Sequence, residues 1–214
     1  MATKSQADES FLDRFSGVVS LKRETYAALQ RDPGATTQAL IIVMFLGLAN
    51  GIAILTTPPE FWAGDVPAEM SGTFDDITAF FTFDTAERQI MVLAVSVLGG
   101  VLSWFISSWL LRLIGNRMAA PGTAPVSSEE MRRLVGWGYA PSLASFLSPV
   151  PIVGPILAFA GAIWAFVTGI MALRTAFNVG IGKAILIEIL AVFVIFAVVM
   201  AILLLVVLIL AAAS

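Results

Sequence analysis

Residues 184–213 read AILIEILAVFVIFAVVMAILLLVVLILAAA, thirty positions with a single charge, Glu188. A helix that crosses a bilayer needs roughly 20 mostly apolar residues at about 1.5 Å each. As one helix this stretch would reach about 45 Å, so it must tilt or protrude. Working back along the chain, four further stretches have a similar character: residues 35–55, 90–114, 134–150 and 152–173. The stretch 90–114 is interrupted only by Arg112 near its end. The stretch 134–150 is the weakest and contains Pro141, which removes a backbone hydrogen bond and predicts a kink. Composition agrees: of 214 residues, 58% are hydrophobic and 13% charged, against about 45–50% and about 25% in soluble domains. The reading is an all-α integral membrane protein with five transmembrane helices, preceded by a segment at residues 1–34.

The same composition excludes much chemistry. The chain has no His and no Cys. That removes Ser-His-Asp and Cys-His catalysis, imidazole or thiolate metal sites, and disulfides. No Gly-Lys phosphate loop is present, and no Lys lies within a span to activate a serine. Net charge is −3, from 12 basic and 15 acidic residues, so no basic excess points to nucleic acid. The expectation is a protein that is not an enzyme and carries no cofactor and no metal.

Loop charges set the orientation. Lys4, Arg14, Lys22, Arg23 and Arg31 precede the first span; Arg112, Arg117, Arg132 and Arg133 lie between the second and third; Arg174 and Lys183 lie between the fourth and fifth. Only Arg88 falls in the long loop between the first two. Positively charged loops stay cytoplasmic. The N-terminus is therefore expected inside and the C-terminus outside, with the first span retained as a signal anchor.

Between the spans, residues 10–30 place Phe11, Leu12, Phe15, Val18, Val19 and Leu21 at mixed three- and four-residue spacing among Asp13, Arg14, Lys22 and Arg23. This predicts an amphipathic helix on the cytoplasmic membrane surface. Asp32-Pro33-Gly34 then breaks the chain. The outer loop, residues 56–89, is acidic and aromatic; Phe74, Ile77, Phe80 and Phe81 share one helical face and suggest an interfacial helix. Its carboxylates lack EF-hand spacing. Ser127 with Glu130 is a capping-box pattern that starts the third membrane segment. Pro149, Pro151, Gly154 and Pro155 make a tight outer turn, so the third and fourth spans should form an antiparallel hairpin.

Two sets of residues are candidates for function. Small residues recur at spacing four: Gly47 and Gly51 in the first span, Gly99, Ser103 and Ser107 in the second, and Gly161, Ala165 and Gly169 in the fourth. Such faces let helix backbones approach closely, within one bundle or between chains. Glu188 is an intramembrane carboxylate about one turn inside the cytoplasmic end of the last span. It is expected to pair with Lys183 or Arg174, or alternatively to serve as a proton or ligand site.

Several stretches together resemble the Yip family (Ypt-interacting proteins) in its short prokaryotic form. They are Leu21-Lys22-Arg23-Glu24-Thr25-Tyr26, Arg31 to Thr36 leading into Gln38-Ala39-Leu40, Gly136-Trp137-Gly138-Tyr139-Ala140-Pro141, Pro151-Ile152-Val153-Gly154-Pro155, Ile163-Trp164, and Arg174 through Gly182-Lys183-Ala184. The resemblance implies a five-span bundle with a cytoplasmic N-terminus in a prokaryotic plasma (inner) membrane. Eukaryotic members of the family are membrane adaptors of vesicle trafficking that bind Rab-type GTPases and one another. This chain has a short N-terminal segment and lacks the Asp-Leu-Tyr-Gly-Pro motif of those members, so Rab binding does not carry over.

The functional expectation is a non-enzymatic adaptor or accessory subunit. Its partners are the lipid bilayer and another membrane protein or a second copy of itself, with no nucleic acid. The alternatives are a small transporter or channel subunit, motivated by Glu188 and Pro141, and a lipid- or curvature-interacting protein, motivated by the amphipathic segments.

Overall fold

A computed structural model of the chain describes residues 10–57 and 85–213. The interfacial helix expected around Phe74 to Phe81, and most of the acidic loop, lie outside the described residues. All regular structure among the described residues is helical: α1 (Phe11–Val19), α2 (Arg23–Arg31), α3 (Ala35–Thr56), α4 (Ala86–Met118), α5 (Ser128–Gly138), a 3₁₀ helix (Ala140–Leu147), α6 (Val153–Phe177) and α7 (Ile181–Ala213). Four of these, α3, α4, α6 and α7, are long and apolar enough to cross a membrane.

The N-terminal segment is two helices, not the single amphipathic helix expected. Ser10 and Asp13 form a capping box at the start of α1. The helix ends in a Schellman-type turn: Lys22 N–H donates to Gly17 O at 2.9 Å and Leu21 N–H to Val18 O at 3.0 Å. Leu21 takes the left-handed position usually given to glycine, with φ 57°. The reversal presses α1 onto α2, where a Cβ on Gly17 would sit 2.2 Å from Thr25 Oγ1. The apolar faces of both helices turn inward: Val18, Tyr26 and Leu29 are buried.

The stretch expected as the third span is likewise not one α-helix. Ser127 and Glu130 cap α5 reciprocally, Ser127 N–H donating to Glu130 Oε2 at 2.6 Å and Glu130 N–H to Ser127 Oγ at 3.2 Å. The α-helix then stops at Gly138, because Pro141 has no N–H to donate and its ring clashes with the preceding turn. The chain continues in the tighter 3₁₀ form, with Ser142 N–H bonded to Tyr139 O at 2.9 Å. Pro141 thus converts the segment rather than merely kinking it.

Contacts fix the relative directions. α3 and α4 are antiparallel: Gly47 abuts Ser96 and Val97, and Gly51 abuts Leu93 and Ser96. α5 and the 3₁₀ helix run in the direction of α3. Along that path Arg133 reaches Thr36, Gly136 abuts Ala39, and the rings of Phe146 and Phe45 meet at 6.0 Å. α6 returns along the same element, with Gly154 against Leu147 and Gly161 against Pro141. The expected hairpin of residues 134–150 with 152–173 therefore forms. The core gathers at one end, where Trp104, Met131, Leu134, Trp137, Leu173, Phe177 and Ile187 are buried beneath Tyr26 and Leu29. Large apolar side chains cover the outside of α4, α6 and α7, among them Leu98, Phe159 and Phe193. Such a surface suits lipid, not water.

Candidate functional site

The break between α5 and the 3₁₀ helix creates a polar seam inside the bundle. Ending α5 at Gly138 frees backbone carbonyls that need donors. Thr168 Oγ1 of α6 supplies one, donating to Gly138 O at 2.7 Å. This contact requires α5 and α6 to touch, and they do so through glycine: a Cβ on Gly138 would lie 3.7 Å from Gly169 Cα. The next residue, Tyr139, lies close to Ser107 on α4 and to Glu188 on α7.

Glu188 lies on the other side of Gly169, whose Cβ position is 3.7 Å from its Oε1. Its Oε2 is buried without a hydrogen-bond partner. The structure does not join Glu188 to Lys183 or Arg174. Lys183 is exposed, five residues earlier on α7, a spacing that turns the two side chains about 140° apart. Arg174 Nη1 instead approaches Met171 Sδ at 3.8 Å. Chemically, the seam offers one unpaired carboxylate, one phenol and two hydroxyls. Among the described residues no group of three or more acidic, His or Cys residues is placed to hold a metal.

The small-residue faces divide into inner and outer. A Cβ on Gly47 would fall 2.7 Å from Val97 Cα, and one on Gly51 3.0 Å from the Leu93 side chain. A Cβ on Gly161 would fall 2.6 Å from Pro141 O. These glycines seat helices within the bundle, as do Gly169, buried Ser107 and half-buried Ala165. Gly99 and Ser103 behave otherwise. Both are exposed on the outer face of α4, and nothing lies within 4 Å of a Cβ built on Gly99.

A collar of polar contacts, most of them part-buried, fastens α1 and α2 to the core. Arg14 Nη2 pairs with Asp32 Oδ2 at 2.5 Å and Nη1 donates to Gln38 Oε1 at 2.9 Å. Burial disfavours the Asp32 charge, but the Arg14 hydrogen bond, the Gly34 N–H and the charges of Arg14 and Arg133 outweigh it. The carboxyl is held below its ordinary range. Glu130 joins the collar from α5, its Oε1 accepting from Gln30 Nε2 at 3.4 Å. Arg133, 5% exposed, donates to Gln30 O at 2.7 Å. Tyr26 donates to Val18 O at 2.8 Å, and burial raises its pKa. Trp164 Nε1 of α6 donates to Val19 O at 2.9 Å.

Sequence pattern alone did not single out Arg14, Arg133, Thr168 or Trp104, whose Nε1 donates to Arg132 O at 2.9 Å. Arg14 and Arg133 had a signal: each stands on the apolar face of its short helix, where a charge must find a partner. Thr168 and Trp104 had none, since both read as ordinary residues of an apolar run.

Four long apolar helices around a broken fifth segment, with lipid-suited outer faces and no assembled catalytic group among the described residues, define a helical membrane protein. The Yip1 domain profile matches residues 16–213, and the chain belongs to the Yip family. No curated protein and no solved structure matches it.

Proposed function

We propose that the chain is a non-enzymatic integral membrane adaptor or accessory subunit that associates with another membrane protein or with a second copy of itself. The observation that carries this reading is the outward pair Gly99 and Ser103. The other small residues of the spacing-four faces are buried or half-buried between the bundle's own helices, whereas these two leave a shallow place on a lipid-facing surface. A second helix approaches most closely at such a place. The chain has no cysteine, so the test is direct. Ser103→Cys in native membranes should give an oxidative or bifunctional cross-link, whereas Phe159→Cys, on the outer face of α6, should give none. Equal yields from both, or none from either, would remove the reading.

The accompanying topology has α5 and the 3₁₀ helix as the third of five crossings. Eleven α-helical residues give about 16 Å and eight 3₁₀ residues about 16 Å, together close to the roughly 33 Å of 22-residue α3. Eleven of the twelve basic residues, all but Arg88 in the first turn of α4, then share one side, with the N-terminus cytoplasmic and the C-terminus outside. The setting is a prokaryotic plasma membrane. Impermeant thiol labelling of Lys4→Cys and Ser214→Cys in intact cells tests this: only the second should react.

The unpartnered Oε2 of Glu188 favours one second reading, a small transporter or channel subunit with its site in the seam. Proton or cation flux in proteoliposomes that is abolished in Glu188→Gln would establish it; flux unchanged in the variant would end it.

A further inference from the structure

At the collar end of the bundle, α2 and α6 enclose a cleft of about 80 Å³ lined by Arg23, Met171, Arg174, Thr175, Asn178 and Val179. Two guanidinium groups border it, and no carboxylate is among the lining residues. Each guanidinium carries five N–H donors. Arg23 spends one on Asn178 Oδ1 at 3.1 Å. Arg174 has a buried Nε without a partner, and its nearest acceptor is the thioether of Met171 at 3.8 Å. Two like charges that share a cleft repel, and a buried donor left unmet costs free energy. An anion between them relieves both.

The surroundings allow it. A helix C-terminus normally repels an anion, but the last carbonyl of α6, Phe177 O, accepts the Ala120 N–H at 3.1 Å. Lys22 and Lys183 are exposed on the flanking segments, and Glu24, also exposed, is the acidic residue adjacent to Arg23. Most of the residues that line the cleft follow Leu173, where the apolar run of α6 ends. Exposed Ile181 and Leu186 of α7 offer acyl chains an adjoining face.

We propose that this cleft binds a phosphate group, with Arg23 and Arg174 as its bidentate partners. A guanidinium fork matches phosphate oxygens in geometry as well as charge. A clamp of basic residues between helices at the membrane surface takes anionic headgroups, and a soluble phosphate compound would present the same chemistry.

The test uses the full chain in a nonionic detergent, with native mass spectrometry and calorimetry. The probes are dihexanoyl phosphatidylglycerol, dihexanoyl phosphatidylcholine and inorganic phosphate. Arg174→Gln and Arg23→Gln should each weaken binding about tenfold, Arg174→Lys should restore part of it, and Arg117→Gln, on α4 outside the cleft, should change nothing. Arg23 is exposed, so its variant folds and keeps the test decisive. Phosphatidylglycerol bound in preference to phosphatidylcholine, with that dependence on both arginines, supports a lipid headgroup. Inorganic phosphate bound with the same dependence supports a soluble ligand. No saturable binding of any probe, or equal binding by Arg23→Gln and the parent chain, overturns the proposal.

Discussion

Replacing Gly47 with alanine tests how α3 is seated. The added Cβ would lie 2.7 Å from Val97 Cα and 2.9 Å from Ser96 O. Both are backbone atoms of α4, so no rotamer change can make room. Ordinary contact begins at 3.4 Å, and the helices must part by about 0.7 Å at this point. Overpacking of this kind costs about 1–3 kcal/mol, partly offset by the gain of up to about 1 kcal/mol from alanine over glycine in a helix. With that gain in full the net cost is about 0–2 kcal/mol, and at roughly 2–4 °C per kcal/mol for a chain of this size the unfolding midpoint should fall by up to about 8 °C. Two neighbours calibrate the result. A Cβ on Gly100 would meet Gly47 Cα at 3.5 Å, an ordinary contact, and one on Gly99 meets nothing. Thermal unfolding in one fixed detergent, followed by tryptophan fluorescence, should therefore rank Gly47→Ala lowest, Gly100→Ala near the parent, and Gly99→Ala level with it or above. Equal midpoints for the Gly47 and Gly99 variants, or a larger fall at Gly99, would refute the assignment of inner and outer faces.

Three further outcomes are expected. The folded-state pKa of Asp32 lies below its ordinary 3.8, so the stability it contributes is full above that value and is lost as pH falls through the folded pKa; the midpoint of the parent chain should drop toward that of Asp32→Asn below about pH 4, and a gap constant from pH 7 to 3 would contradict the pair. Arg133→Gln removes a charged hydrogen bond worth about 1.5–3 kcal/mol from the collar, so trypsin should cut at Lys22, Arg23 and Arg31 roughly 10- to 150-fold faster. Thr168→Val leaves the Gly138 carbonyl without its donor and should cost about 1–3 kcal/mol in the same unfolding assay, whereas Thr168→Ser, which keeps the hydroxyl, should cost less.

The long helices were legible because hydropathy alone decides them: α3, α4, α6 and α7 each contain an apolar stretch read from the sequence, and only their ends moved. α4 runs from Ala86 to Met118, well past the apolar residues 90–114, because a helix can continue into polar surroundings without a break signal. Punctuation was legible where it was chemical. Asp32-Pro33-Gly34 separates α2 from α3, and Ser127 with Glu130 opens α5. The reversal at Leu21 was not legible, since leucine gives no hint of a left-handed turn. Nor was the 3₁₀ continuation after Pro141, because a proline ends an α-helix without specifying the conformation of the residues beyond it.

The candidate site was legible only in part. Glu188 stands out as a charge in an apolar run, yet its neighbours Gly169 and Tyr139 come from α6 and from the break after α5, and only packing brings them to it. The five-residue step from Lys183 already argued against an ion pair, by helical geometry. Of the small-residue faces, nothing in the spacing distinguishes Gly47, pressed on α4, from Gly99, which faces outward. That difference belongs to the rotation of α4 in the bundle.

Co-purification shows whether the chain associates with a partner in its own membrane. The tagged full chain is extracted from native membranes in polymer nanodiscs, and every co-purifying membrane protein is quantified by mass spectrometry. The adaptor reading predicts a second membrane chain, or a second copy of this one, in fixed stoichiometry, and its loss when Gly99→Leu fills the outer face of α4. A chain recovered alone as a monomer, with or without that substitution, would contradict it.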